Sequence, residues 1–209
     1  MTELSPLNHP IVEQSFAIID QEIGQHNLND LEYTIARRVI HTTADFEFKN
    51  LLKFSSEAIE IGINALRQKT PIVTDVTMVK QGIINLVNKT FKNPLITAIE
   101  NAPQVCSENT RTATGLLTCF EQYPKAIYII GNAPTALLAL CQKISETKGQ
   151  PSLIIGAPVG FVSVLESKQI LATTKVPQIR VDGRKGGSTV AAAIMNALLI
   201  LAWEKELKN

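Results

Sequence analysis

YIIGNAPTALLAL, residues 128–140, and LIIGAPVGFVSVL, residues 153–165, follow one local plan. Each opens on a short apolar run, places a glycine at its end and continues with helical spacing. A glycine there permits positive φ or a close backbone approach, and Pro134 suits the first turn of a helix. The same rhythm runs through PIVTDV (71–76), PLITAI (94–99), AIYIIG (126–131), SLIIGA (152–157) and PQIRVD (177–182), each followed by helical sequence. Repeated strand–loop–helix units join through right-handed crossovers into a parallel sheet covered by helices on both faces. The expected fold is therefore α/β: a Rossmann-like three-layer sandwich, built as a single domain over residues 1–209.

Before the first strand, the expectation is an N-terminal helical segment over about residues 8–68, with the α/β core over about 70–205. Ile11, Phe16, Ile19 and Ile23 give His9 to about Ile23 helical spacing. A second helix starts near Asn29, with Glu32 three residues on as in a capping box, and runs to about His41. DFEFKNLLKF (45–54) is ambiguous, and SSEAIEIGINALRQ (55–68) is helical.

The chain has 209 residues, 45% of them hydrophobic, enough to bury a full core. A net charge of +1 gives no sequence-wide attraction to nucleic acid or to a membrane. Three cysteines, Cys106, Cys119 and Cys141, form no CxxC pair, which argues against a disulfide framework or thiolate zinc site and for a reducing cytoplasm. MTELSPLNHPIVEQ lacks the apolar core of a signal peptide. The apolar stretch Val190 to Trp203, interrupted by Asn196, is short for a bilayer span and reads as a core or interface helix.

In open α/β sheets, ligands bind beyond the carboxyl ends of the strands. That rule gathers Thr77, Met78, Asn132, Gly156, Gly160, Gly183 and Arg184 on one rim. DGRKGGS (182–188) is the rim's basic, glycine-rich loop and leads into the last helix. It is no P-loop, because Ser188 stands where the second glycine of GxxxxGK[ST] belongs, and no strand leads into GxGxxG. Arg184 and Lys185 beside a helix start would be repelled by its dipole unless an anion joins them, whereas Gly186 and Gly187 equally suit close helix packing.

RRVIHTTADFEF (37–48) holds the other candidate chemistry. On a helix, Thr34, Arg38 and His41 form a stripe beside the apolar Leu31, Ile35 and Val39. A helix C-terminus favours the imidazolium while a nearby arginine opposes it, so His41 is either a structural histidine or one poised for acid–base work. His41, Asp45 and Glu47 match no metal-binding spacing. The G-x-S-x-G elbow of serine hydrolases is absent, and Cys119 and Cys141 sit in apolar helical patterns.

Five stretches taken together, HPIVEQSFAIID (9–20), RRVIHTTADFEF, PIVTDVTMVKQGI (71–83), GAPVGFVSVLESK (156–168) and DGRKGGSTVAAA (182–193), resemble the precorrin-8X and cobalt-precorrin-8 methylmutases, in the same order from about His9 to about Leu198. The resemblance implies a homodimeric α/β isomerase of vitamin B12 construction. Its substrate is a corrinoid tetrapyrrole in which a methyl group moves between adjacent carbons of ring C. Hydrogenobyrinic acid results, or cobyrinic acid where the substrate carries cobalt. It implies no cofactor, no metal of the protein's own and no nucleic-acid or membrane partner. By resemblance, His41 in R-x-x-H is catalytic, Arg38 and Ser15 contact substrate, and Arg111 in ENTRTATG is a further binding candidate. The rim adds Thr77 and Met78, and Arg184, Gly186 and Gly187 would hold a peripheral carboxylate of the macrocycle. The competing functions are a corrinoid carrier without activity and a nucleotide- or phosphoester-using α/β enzyme.

Overall fold

A computed structural model describes residues 7–102, 110–147 and 149–208. Cys106, Glu108 and Asn109 lie outside the described residues. In chain order the elements are α1 (Pro10–Glu22), α2 (Asp30–Thr43), α3 (Phe48–Leu51), β1 (Leu52–Phe54), α4 (Ala58–Arg67), β2 (Ile72–Thr74), α5 (Thr77–Lys89) and β3 (Leu95–Thr97). After a 3-10 turn (Ala98–Glu100) come α6 (Arg111–Gln122), β4 (Ile127–Ile130), α7 (Pro134–Thr147), β5 (Leu153–Gly156), α8 (Val164–Thr173), β6 (Gln178–Val181) and α9 (Ser188–Leu207).

The strands form one sheet in the order β1-β6-β5-β4-β2-β3. All neighbours pair in parallel except β1, which runs antiparallel to β6 with Lys53 opposite Arg180. The five strands read from the sequence are all present. β1 is the addition, and it places a strand in the ambiguous stretch of the N-terminal segment expected to be helical overall. Three residues carry too little alternation to register as a strand. β1 is held instead by β6, whose outer edge it covers.

Successive strand residues point to opposite faces, so one strand feeds two cores. Ile127 and Ile129 of β4 join a core with α1, α2, α4, α5 and α9, while Tyr128 and Ile130 join one with α6 and α7. α9 is apolar on all sides, with Val190, Ile194, Leu198 and Ala202 among its buried residues. Its cover comes from within the chain, because α2, α4 and α5 pack around it against the sheet. This apolar helix is thus a core element and presents no face that demands a second subunit. Gly131 lets it approach, since a Cβ there would sit 2.9 Å from the Ser188 Cα at the start of α9.

Candidate active site

Two helices build the histidine site. His9 caps α1 by accepting from the Ile11 N–H at 3.3 Å, with Pro10 beginning the helix. Asn29 and Glu32 form the expected capping box at the start of α2. α2 ends at Ala44, which adopts a left-handed conformation with φ 53°, so His41 stands in its last turn. α1 packs on α2 and brings Ser15 Oγ to 2.7 Å from His41 Nδ1. Phe16 meets the imidazole edge-on, with centroids 5.6 Å apart.

The pair lines a cavity of about 500 Å³ whose other walls include Ile11, Ile18, Ile40 and Phe46. Burial, and then the Arg38 guanidinium, holds the His41 pKa below 6.5, so the imidazole is neutral at neutral pH. Arg38 is itself positioned, because it donates to Asn8 Oδ1 at 2.6 Å while Asn8 donates to Glu13 Oε1 at 2.6 Å. It opens not into the His41 cavity but into an adjoining hollow of about 200 Å³ with Thr42, Gly82, Thr189 and Asn196.

The rim carries the remaining candidates. The strand order reverses direction between β2 and β4, where doubly wound proteins place their ligands. Here the position is filled from within. The Asp75 carboxylate is fully buried and accepts from the N–H groups of Asn132 (2.7 Å), Ala133 (2.9 Å) and Val76 (2.9 Å). Burial pushes its pKa up, and the donors of Ala133, Asn132, Gly131 and Val76 pull it down. A phosphate at the start of α7 would need the same amides. Asn132 thus serves the fold through its backbone.

Thr77 and Met78 open α5 at this rim. The Thr77 hydroxyl bonds Glu100 at 3.4 Å, and Met78 is 67% exposed. Arg111 opens α6, and Thr110, its N-cap, bonds Thr135 of α7 at 2.9 Å. Between β5 and α8 the chain exposes Val159, Phe161 and Val162, so this rim is both apolar and basic.

The 183–187 loop meets the end of α2. Lys185 Nζ lies 2.6 Å from Asp45 Oδ2 and 2.5 Å from Glu47 Oε2, so the anions answering this cation are the chain's own. These bonds draw the Asp45 pKa down and the Lys185 pKa up. The loop is thereby tied four residues beyond His41. Gly186 has φ 152°, and a Cβ on it would sit 2.4 Å from the Ala157 carbonyl oxygen. Gly187 is buried and its N–H donates to that same oxygen at 2.8 Å, which makes it an anchor of the loop. Arg184 is exposed, and its side chain forms no hydrogen bond or ion pair among the described residues.

His41, Asp45 and Glu47 do not converge as ligands, and no cluster able to hold a metal occurs among the described residues. Two polar residues escaped the sequence reading. Asp75 stands at a strand end inside an apolar run, and Lys168 shares the α8 stripe of Val164 and Leu171. A charge on an apolar stripe was the available signal in both.

A family profile described as precorrin-8X methylmutase matches residues 10–201. The cobalt-precorrin-8 methylmutase of Synechocystis sp. is 54% identical, covering 96% of this chain and 99% of its own. The precorrin-8X methylmutase of Pseudomonas aeruginosa is 38% identical, covering 90% and 93%. A crystal structure of precorrin-8X methylmutase from Thermus thermophilus superposes with a TM-score of 0.87 at 40% identity, over 93% of this chain and 96% of that one. With the sheet, the helices around it and nearly the whole chain length shared, the protein belongs to the precorrin-8X methylmutase family, isomerases of cobalamin biosynthesis.

Proposed function

We propose that this protein converts a precorrin-8-type corrinoid, with or without cobalt in the substrate, by moving a methyl group between adjacent carbons of ring C, and that it works as a cytoplasmic homodimer without a cofactor of its own. The observation that carries this is the Ser15–His41 pair, 2.7 Å apart in an apolar-walled cavity. With the Ser15 hydroxyl as donor to Nδ1, the ring proton of the neutral imidazole sits on Nε2. His41 donates this N–H as a hydrogen bond to a nitrogen of the macrocycle, or, having first taken up a second proton as imidazolium, passes that proton to it. The conjugated double bonds shift, the methyl leaves one carbon with its bonding pair and joins the next, and the proton returns to His41. Nothing is consumed, as an isomerisation requires.

The rim supports the same reading. Met78, Phe161 and Val162 offer apolar surface to a flat macrocycle, and the Thr77 hydroxyl can bond its edge. Arg38, Arg111, Arg184 and the Gly186 amide are donors for acetate and propionate carboxylates. The homodimer is supported by the apolar lip of the cavity, where Ile11 is 65% and Ile18 55% exposed. No helix among the described residues is long and apolar enough to cross a membrane.

Incubating the purified protein with precorrin-8X, and separately with cobalt-precorrin-8, tests the proposal. The product chromophore in the visible spectrum is the expected result with at least one of them. Binding without spectral change would indicate a carrier, and light scattering showing a fully active monomer would remove the dimer.

A further inference from the structure

We propose that Lys168 is a positioning residue for the substrate: buried beneath the 183–187 loop, its ammonium turns two loop carbonyls inward and so directs the Arg184 and Gly186 amides toward an incoming carboxylate. The inference rests on that loop being the carboxylate grip.

Lys168 is 2% exposed, and its Nζ donates to the Gly183 carbonyl at 2.7 Å and the Lys185 carbonyl at 2.8 Å. A lysine is almost never so buried unless its charge is matched. Burial lowers its pKa to about 8, with Asp182 opposing, so the ammonium stays charged at neutral pH. The described peptide bonds are all trans, and across a trans peptide the C=O and N–H point in opposite directions. The peptides that offer carbonyls to Lys168 are Gly183–Arg184 and Lys185–Gly186. Their N–H groups, on Arg184 and Gly186, therefore point away from the ammonium, and neither donates within the described residues.

Two peptide dipoles whose carbonyl ends meet one cation present positive potential on their far side. The Arg184 side chain starts from that same loop. Lys185 is diverted to Asp45 and Glu47, which fixes the loop laterally without adding a cation to the grip. The loop cannot adopt this course without glycine at 186, where a Cβ would collide with the Ala157 carbonyl. Lys168 thus has a function that its burial alone conceals, since the charge that shapes the site lies one peptide layer beneath it.

The test compares the wild type with Lys168→Met, Arg184→Ala and the double variant. Hydrogenobyrinic acid, the metal-free product, serves as ligand in a visible-absorbance titration below the melting temperature of every variant. Lys168→Met should weaken binding by about 10-fold or more, the scale of a lost charged hydrogen bond. In turnover, the loss should fall more on KM than on kcat. The double variant should lose less than the product of the single losses, because both residues serve one carboxylate. Lower melting temperature with unchanged affinity in Lys168→Met would make the residue purely structural and overturn the proposal. If Arg184→Ala weakens binding and Lys168→Met does not, the proposal fails while the loop remains the grip. If neither does, the loop is not the grip. Should Lys168→Met fail to fold, Lys168→Gln, which keeps a donor without the charge, takes its place: weaker binding, with smaller ligand-induced shifts of the Arg184 and Gly186 N–H signals than in the wild type, supports the proposal, and unchanged affinity overturns it.

Discussion

Replacing Ser15 with alanine separates a residue that acts through His41 from one that touches the substrate. The hydroxyl lies 2.7 Å from His41 Nδ1, and the edge-on contact with Phe16 is the other hold on the ring. A hydrogen bond of this kind contributes about 0.5–1.5 kcal/mol net, so losing the ring's orientation should slow turnover by about 2- to 13-fold. His41→Ala removes the proposed acid–base group itself and should cost about 10²–10⁴-fold. If Ser15 works only by orienting the imidazole, the double variant turns over no more slowly than His41→Ala alone. The assay is single-turnover conversion of precorrin-8X followed by visible absorbance, with hydrogenobyrinic acid affinity measured in parallel. Unchanged affinity in Ser15→Ala, with the non-additive rates, is the expected outcome. A loss of affinity, or a further slowing on top of His41→Ala, would refute the orienting role and make Ser15 a direct substrate contact. Wild-type rates in His41→Ala would remove the catalytic assignment altogether.

Arg38→Met should raise the His41 pKa toward 6.5, because the guanidinium is the second cause of its depression after burial, and NMR titration of the imidazole would report it. As pH falls past 6.5 the unfolded chain takes up this proton before the folded one, so stability declines, and Arg38→Met should lessen that decline. Gly186→Ala places a Cβ 2.4 Å from the Ala157 oxygen and at a φ of 152°, costing about 1–3 kcal/mol, visible as a lower denaturation midpoint or, if the loop yields instead, as weaker corrinoid binding. Full stability and full affinity in that variant would contradict the close approach. Millimolar ATP should leave the melting temperature unchanged while hydrogenobyrinic acid raises it, because Asp75 holds the amides a phosphate would use. A nucleotide-induced rise would reopen the phosphoester reading.

What was legible in the sequence follows from how each feature is encoded. The five core strands were legible because a strand buried on both faces is a continuous apolar run between turn residues, as IYII and LIIG are. β1 was not, since LKF gains its strand character from β6, more than a hundred residues away. His41 and Arg38 stood out as polar residues on a helix with a clear apolar face. Their separate cavities did not, because these are set by where α1, α5 and α9 pack on α2. The chain's own anions were the least visible. That Lys185 meets Asp45 and Glu47 depends on contacts across 140 and 138 residues, and no local pattern records them.

Those internal pairings also bear on where the proposed carboxylate grip lies. An α/β rim has several places that attract anions, and an unanswered one is the informative one. At the start of α7 the Asp75 carboxylate takes the amides. Lys80 is answered by Glu100, Arg180 by Asp182 and Lys185 by Asp45 and Glu47. Of the rim arginines among the described residues, Arg184 and Arg111 form no ion pair, and the Arg184 and Gly186 amides have no acceptor. A protein of net charge +1 needs no strongly basic surface to hold a polycarboxylate if its other rim charges are already spent on each other. On the proposed reading, the few left over set both the affinity and the orientation of the ring relative to His41.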